Sequence, residues 1–217
     1  PTPIIHDTAF AICSGNRFGY TPINNQPYNI VPRNTTYTWT VSPNNYVIGQ
    51  SDTTLPVPSI SQTLVNLSNT TQTVTYHVTP VSGDSGFCRG NTFDIVVTVY
   101  SKPHILTLYD TVCSGTTFVL SPINAQPNDS MIVPYGTVYN WNAPFVNGIT
   151  GTTPGVNQTN ISNTINNNTF APITVKYIVT PTSGTTGSCV GDPFEVYITV
   201  NPLSAISNNP LYQSICN

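Results

Sequence analysis

Thr73-Val74-Thr75-Tyr76-His77-Val78-Thr79-Pro80 is the stretch that decides the fold, and it recurs as Thr174-Val175-Lys176-Tyr177-Ile178-Val179-Thr180-Pro181. In both copies a valine, a tyrosine and a second valine occupy every other position, and this period of two indicates a half-buried β-strand. The same period continues in residues 93–99 and 194–200, and around Trp39 and Trp141. No stretch has a credible helical pattern, so the sequence predicts an all-β protein.

The chain repeats itself once, about 100 residues apart. Self-similarity at this period indicates an array of whole domains rather than one large domain. We therefore expect a linker at 1–9, a first repeat at 10–102, a second at 103–206 and the truncated start of a third at 207–217. Further recurring motifs are Cys13-Ser14-Gly15 with Cys113-Ser114-Gly115, Pro22-Ile23-Asn24 with Pro122-Ile123-Asn124, Tyr37-x-Trp39 with Tyr139-x-Trp141, Cys88 with Cys189, and Ala11-Ile12-Cys13 with Ser214-Ile215-Cys216.

The cysteines follow the repeat. Cys13 and Cys88 lie 75 positions apart, and Cys113 and Cys189 lie 76 apart, which predicts one internal disulfide in each domain. Such a bond would stabilise each domain by about 4–5 kcal/mol and indicates an oxidising compartment or the cell exterior. Cys216 is then an orphan thiol whose partner lies in the next repeat. Metal ligation is disfavoured because no second cysteine or histidine lies two to four residues away.

The composition excludes several classes of function. Only 6% of the residues are charged and the net charge is -3, so there is no basic patch for nucleic acid and no polybasic segment for a membrane. Disorder is excluded because 38% of the residues are hydrophobic and are arranged with period two. About seven short strands per repeat, with a buried tryptophan, favour an immunoglobulin-like β-sandwich over a jelly roll.

The motifs quoted above resemble the PKD-like repeats of giant cell-surface proteins in Bacteroidota, among them the flavobacterial gliding-motility adhesin. The resemblance covers approximately residues 10–100 and 110–200. It implies a β-sandwich, a cell-surface location associated with the outer membrane, export by the type IX system, and a role in adhesion or as a filament shaft. It implies no catalytic residue. The Gly-Asp-Gly stretch of ordinary PKD domains is missing after Trp39 and Trp141, so the relation to those domains is distant.

We find no catalytic or cofactor site in the sequence. His77 is expected to face outward and has Ile178 as its counterpart, while His6 and His104 fall in linkers. The acidic residues are read as solvated side chains, and calcium at the joints is the sharper alternative, although no acid cluster supports it. An intramolecular isopeptide bond is rejected because Lys176 is expected on the outward face of its strand.

Four Asp-Thr or Asp-Ser pairs resemble the O-glycan acceptor of Bacteroidota. They predict glycosylation at Thr8 and Thr111, which we expect in analogous joints, and also at Thr53 and Ser130.

Together these observations predict a structural stalk or adhesin segment of a large exported filament, related to gliding or adhesion, and not an enzyme. The joints would be short proline-containing linkers, one of them at Tyr100–Asp110. The expected partners are neighbouring repeats of the same chain, and surface glycans or other adhesin chains. Two rivals stay open: an accessory region of a secreted hydrolase, and a carbohydrate-binding module that uses exposed aromatic residues at Tyr28, Tyr46, Tyr135 and Tyr197.

Overall fold

A computed structural model describes residues 1–83, 86–124, 130–184 and 187–203. Within these ranges each repeat contains nine strands and no helix. The strands of the first repeat are β1 (Thr8–Cys13), β2 (Arg17–Tyr20), β3 (Thr36–Ser42), β4 (Val47–Ile48), β5 (Thr53–Val57), β6 (Ile60–Thr63), β7 (Val65–Asn66), β8 (Gln72–Val81) and β9 (Phe93–Tyr100). Those of the second are β10 (Leu108–Cys113), β11 (Thr117–Leu120), β12 (Val138–Trp141), β13 (Ile149–Thr150), β14 (Gly155–Gln158), β15 (Ile161–Thr164), β16 (Asn166–Asn167), β17 (Ile173–Thr182) and β18 (Phe194–Asn201).

The alternating stretch at residues 73–80 lies in β8, and its copy at residues 174–181 lies in β17. Val74, Tyr76 and Val78 are buried, whereas the residues between them are only partly covered. β9 and β18 alternate in the same way. The all-β prediction is thus confirmed, and the period-two pattern correctly identified the buried face of these strands.

Each repeat has a five-stranded sheet, in the order β1-β9-β8-β3-β5 and β10-β18-β17-β12-β14. Four of the strands are joined by antiparallel pairing, but the first strand of each repeat pairs parallel with the last. In the first repeat Thr8 lies opposite Ile95 and Cys13 lies opposite Tyr100. The parallel register places Cys13 and Cys113 at the end of the sandwich where the last strand of their repeat ends.

Small two-stranded sheets form the second layer of each sandwich, β2-β6 and β4-β7 in the first repeat and β11-β15 and β13-β16 in the second. Aromatic contacts join the layers: the ring centroids of Phe18 and Tyr76 lie 5.0 Å apart, and those of Phe118 and Tyr177 lie 5.5 Å apart. Each repeat has its own cluster of buried apolar side chains. The prediction of two tandem immunoglobulin-like sandwiches is confirmed.

The tryptophans lie where the sequence predicted, on β3 and β12. Trp39 is 7% exposed and its indole N–H donates to the carbonyl of Ser51 at 2.9 Å. Trp141 makes the equivalent bond to Thr153 at 2.9 Å. A buried indole needs such an acceptor, because an unpaired N–H in the core would be costly.

The segments that precede β1 and β10 pack on the repeat that they introduce. Ile5 and Ile105 are both buried in the core of their own repeat. Ile4 forms an antiparallel bridge with Ile30, and His104 forms one with Ile132. These residues, expected in linkers, therefore extend the sandwich. In the described part of the chain no helix is long and apolar enough to cross a membrane.

Candidate functional site: the joint between the two repeats

A disulfide bond joins the first repeat to the second. It links Cys13, at the end of β1, to Cys189, which precedes β18, with 5.7 Å between the Cα atoms and a sequence separation of 176. Cys88 and Cys113 are free thiols. The predicted pairs Cys13–Cys88 and Cys113–Cys189 are therefore wrong: the bond is not internal to a domain but ties two domains together. Cys216 lies outside the described residues.

The parallel pairing of β1 with β9 explains why an internal bond cannot form. Cys13 lies opposite Tyr100, the last residue of β9, whereas Cys88 precedes Phe93, the first residue of that strand. Seven residue steps along a strand span about 23 Å, and a disulfide cannot bridge Cα atoms more than about 7 Å apart. The two cysteines of one repeat thus lie at opposite ends of its sandwich.

Buried polar side chains hold Cys13 in place. The next residue, Ser14, is 7% exposed, and its hydroxyl accepts the backbone N–H of Asn66 at 2.9 Å. The side-chain amide of Asn66 donates to the carbonyls of Val99 at 3.0 Å and Thr70 at 2.7 Å. This network fastens the end of β1 to β7 and β9. The second repeat holds the same arrangement through Ser114, Asn167, Val200 and Ala171.

Two hydrogen bonds with Ser183 hold Cys189 in place. The N–H of Ser183 donates to the carbonyl of Cys189 at 3.0 Å, and the N–H of Cys189 donates to the hydroxyl of Ser183 at 2.9 Å. Two residues before Cys189, Gly187 has a φ of 134° and lies against the ring of Tyr100 in the first repeat. Only a glycine fits at this contact, because any side chain would enter the ring.

Two further contacts support the joint. The ammonium of Lys102 lies 2.9 Å from Oδ1 of Asp192, whose side chain is 79% exposed, so this ion pair adds little to stability. Gly191 lies directly beneath Pro103, where a Cβ atom would be 2.5 Å from the proline carbonyl oxygen. Gly90 and Pro3 repeat that contact at the start of the chain. The connecting peptide is thereby fastened to the second repeat.

An open cleft of about 510 Å³ lies between the repeats. Ser14, Val65 and Leu67 line it from the first repeat, and His104 and Ile132 line it from the second. Among the described residues no group of three or more His, Cys, Asp or Glu side chains comes together there or elsewhere. The calcium alternative therefore finds no carboxylate cluster at this joint.

Thr8 and Thr111 lie within strands and not in the joints, so the predicted position of these two candidate glycosylation residues is wrong. Thr8 is partly covered in β1 and pairs with Ile95, whereas Thr111 is exposed in β10 and pairs with Thr199. The residue of the second repeat that occupies the position of Thr8 is Leu108, which pairs with Val196, so the two threonines are not equivalent. Thr53 is partly covered in β5 and Ser130 is exposed. Glycosylation at all four stays a prediction.

Sequence reasoning missed a hydrogen-bonded chain on the outer face of the first sheet. Oδ1 of Asp94 lies 2.7 Å from Nδ1 of His77, and Nε2 of the same histidine lies 2.9 Å from Oγ of Ser42. His77 does face outward, as expected. The side chains of His77 and Asp94 are 40% and 43% exposed. A hydrolytic Ser-His-Asp triad needs a site from which water is excluded, and this sheet face is open to water. The equivalent residues of the second repeat are Pro144, Ile178 and Glu195.

The outer face of the second sheet carries a different cluster. Lys176 points outward, as predicted, and forms an ion pair with Glu195. The hydrogen bond from Lys176 holds the pKa of the Glu195 carboxyl below its ordinary value, helped by a bond from the hydroxyl of Tyr197 at 2.6 Å. Tyr197 is stacked on Tyr109 with 5.4 Å between ring centroids. The cluster braces β10, β17 and β18 on their solvent side.

The exposed aromatic residues do not form one platform. Tyr28 and Tyr46 are 88% and 60% exposed, but they lie before and after β3, at opposite ends of the first sandwich. Tyr135 is 90% exposed in the second repeat. Tyr197 is partly covered and stacks on Tyr109. The four tyrosines therefore do not share one exposed surface, which weakens the carbohydrate-binding alternative.

A protein-family model agrees with the fold. The model of the PKD-like domain matches twice, at residues 10–103 and 110–204. No curated protein matches the sequence. Similar solved structures include a 2,6-sialyltransferase of Photobacterium sp. JT-ISH-224 (14% identity, 54% of this chain and 20% of that one, TM-score 0.28), Sidekick-1 immunoglobulin domains 1–4 (13%, 90% and 46%, 0.26) and Drosophila N-cadherin EC1-4 (9%, 92% and 50%, 0.28). The chain thus spans half the length of these structures or less.

Proposed function

We propose that this chain, which belongs to the PKD-like domain family, is a covalently reinforced segment of an extracellular stalk. Tandem PKD-like and immunoglobulin-like domains are consistent with a structural or adhesion-type role and are typically not catalytic. The observation that carries the proposal is the Cys13–Cys189 bond, because it spans the joint instead of closing one domain. A disulfide also fits a location outside the cell.

The bond changes the route by which tension passes through the chain. A pull on the N-terminal end reaches Cys13, crosses the two sulfur atoms to Cys189 and continues toward the C-terminal end. Residues 14–188, which include most of both sandwiches, lie outside this route. β1 and β18 lie on this route, whereas the other strands of both sandwiches are shielded from the load. The segment between the two cysteines would stay unextended under tension until the disulfide is reduced.

The bond also restricts bending at the joint. The two repeats are connected by the peptide between Tyr100 and Leu108 and, separately, by the sulfur bridge at Cys13. Two connections at different points of an interface oppose rotation that a single flexible linker would allow. The Tyr100–Gly187 contact fills the space beside the bridge. Each repeat would therefore add a fixed increment of length.

We propose further that the stalk is part of a large filament at the cell surface. The resemblance to repeats of giant Bacteroidota surface proteins supports a filament that is exported by the type IX system, held at the outer membrane and used in gliding or adhesion. Its partners would be neighbouring repeats, and surface glycans or other adhesin chains. O-glycans at Thr8, Thr53, Thr111 and Ser130 would add to its exposed polar surface, and a mass increase of these peptides from native material would identify them.

Single-molecule stretching tests the mechanical role. A fully extended chain gains about 3.3–3.6 Å per residue, so the 176-residue separation between the bonded cysteines corresponds to roughly 600 Å. We expect the oxidised protein to lack this extension and the reduced protein to show it as two unfolding events. Cys13→Ser is the matched control and should behave as the reduced protein without reductant. Full extension of the oxidised protein would overturn the proposal.

A further inference from the structure

We propose that Cys88 and Cys113 are the two complementary halves of a second joint, built like the one between Cys13 and Cys189, and that each forms a disulfide with a further copy of this repeat. Cys113 would bond to the cysteine at the Cys88 position of a copy placed after the second repeat. Cys88 would bond to the cysteine at the Cys113 position of a copy placed before the first. The inference concerns the ends of the two-repeat unit and does not depend on a stalk function.

The backbone around Cys113 is already that of the bonded Cys13. Cys113 lies opposite Asn201 in the parallel pair of β10 and β18, as Cys13 lies opposite Tyr100. The residue after each cysteine donates its N–H to the end of the last strand, at 2.8 Å for Ser114 and at 2.9 Å for the first repeat. The glycine after that donates at 2.8 Å in both repeats. No rearrangement of β10 is needed to present this thiol.

The hydrogen bonds around Cys88 are likewise those of the bonded Cys189. The hydroxyl of Ser82 accepts the N–H of Cys88 at 3.0 Å, and the N–H of Ser82 donates to the carbonyl of Cys88 at 3.0 Å. The residue before each cysteine, Phe87 or Ser188, has a φ of 42°. This left-handed conformation is uncommon for a residue other than glycine. Its presence beside both cysteines shows that the backbone that leads into the free cysteine has the conformation found at the bonded one.

In each pair of equivalent cysteines, the bonded cysteine is less exposed than the free one. Cys189 is 1% exposed, while Cys88, in the same turn, is partly exposed. Cys13 is partly covered, while Cys113, at the same place on its strand, is exposed. Joining two repeats therefore covers both surfaces. The ring of Phe87 beside Cys88 is 77% exposed and would be covered by an incoming repeat.

The new joint would have room for its partner. At the existing joint Gly187 packs on Tyr100, and the corresponding residues at the two free ends are Gly86 and Asn201. A glycine thus stands again at the position of close approach, opposite a side chain that is smaller than tyrosine. Because the two surfaces are different and the same pair recurs at each step, the assembly is head-to-tail.

Formation of the bond requires a two-electron oxidant, and a small-molecule disulfide such as glutathione disulfide supplies it. One protein thiolate attacks glutathione disulfide, gives a mixed disulfide and releases a glutathione thiolate. The second protein thiolate attacks the mixed disulfide, forms the protein disulfide and releases the second glutathione. Two thiol protons leave the protein, and the two electrons reduce one glutathione disulfide to two glutathione molecules.

The experiment uses two complementary variants in a Cys216→Ser background, which removes the remaining thiol. Cys88→Ser retains only Cys113, and Cys113→Ser retains only Cys88. Each protein is incubated alone at millimolar concentration with glutathione disulfide, and the two are also mixed in equal amounts. Non-reducing electrophoresis and peptide mass mapping identify the products, and an intact Cys13–Cys189 peptide confirms that each variant is folded.

We expect the Cys216→Ser protein, which retains both thiols, to form a ladder of multimers. Each variant alone should lose that ladder. The mixture of the two variants should give one dimer, bonded through Cys88 and Cys113. Dimers of equal yield from either variant alone would show random thiol oxidation and overturn the proposal. So would the absence of a Cys88–Cys113 bond from both the mixture and the background protein. These outcomes leave the mechanical test of the Cys13–Cys189 bond unaffected.

Discussion

The ring of Tyr100 in the first repeat lies so close to Gly187 in the second that a Cβ atom on this glycine would be 2.5 Å from Cδ2 of the tyrosine. The contact lies beside the Cys13–Cys189 bond, since Cys13 pairs with Tyr100 in the parallel register of β1 and β9. The fit of the two repeats and the formation of their disulfide therefore depend on each other.

Gly187→Ala should weaken the joint. The added methyl group collides with the ring, and a φ of 134° is unfavourable for alanine, at a cost of about 1–3 kcal/mol. We expect the Cys13–Cys189 bond to be reduced more easily. The equilibrium constant for its formation by glutathione disulfide should fall about tenfold, since about 1.4 kcal/mol is a factor of ten. The control is Gly15→Ala, where φ is also positive but a Cβ atom would meet nothing within 4 Å. An unchanged equilibrium constant in Gly187→Ala would contradict the role of this contact.

Asn66→Ala should destabilise the first repeat by about 2–4 kcal/mol, because it leaves several buried hydrogen-bonding groups without partners. The side chain is 2% exposed and donates to the carbonyls of Val99 and Thr70. Urea unfolding under reducing conditions measures the change. Asn91→Ala, at an exposed position of the same repeat, should alter the free energy of unfolding little; equal effects of the two substitutions would show that the network is unimportant.

Alkaline pH should destabilise both sandwiches through their buried tyrosines. Burial raises the pKa of Tyr37 and of Tyr139 to about 12 and also raises that of Tyr76 and Tyr177. Above pH 10 the unfolded chain loses these protons first, so the folded state holds more protons and its stability falls as the pH rises. With two such tyrosines per repeat, the free energy of unfolding should fall by up to about 2.7 kcal/mol per pH unit between pH 10 and 12.

The matched variant for this effect is Tyr37→Phe, which keeps the ring and removes the ionisable hydroxyl. Its free energy of unfolding should fall less steeply above pH 10 than that of the native protein, as measured by urea titration at pH 9 to 12. Identical slopes for the two proteins would mean that the Tyr37 hydroxyl titrates normally in the folded state.

Ser42 should not behave as a catalytic nucleophile despite its bond to His77. The half-exposed His77–Asp94 pair lies on an open sheet face, where solvent screens the charges that activate a serine hydroxyl. We expect no labelling of Ser42 by a fluorophosphonate probe. Mass spectrometry of the peptide that contains Ser42 measures the labelling, and Ser42→Ala is the negative control. Stoichiometric labelling that disappears in His77→Ala would reverse this interpretation.

Local patterns in the sequence were sufficient to predict the strands and their buried faces. The alternation around Tyr76 and Tyr177 is a property of successive residues, and the burial of Trp39 and Trp141 follows from the same period. The joint depends instead on a non-local choice, the parallel pairing of β1 with β9. The nearly equal cysteine spacings of the two repeats, 75 and 76 positions, fit a bond within each repeat and a bond from each repeat to the next equally well. The signal that separates them is strand direction: a first strand parallel to the last puts its C-terminal cysteine far from a cysteine that precedes the last strand.

Disulfide mapping under non-reducing conditions tests the central claim most directly. The protein is digested with its free thiols blocked, and the linked peptides are identified by mass before and after reduction. The account predicts a linked pair that contains Cys13 and Cys189, with Cys88 and Cys113 recovered as blocked thiols from the monomer. Recovery of Cys13 linked to Cys88, together with Cys113 linked to Cys189, would contradict it.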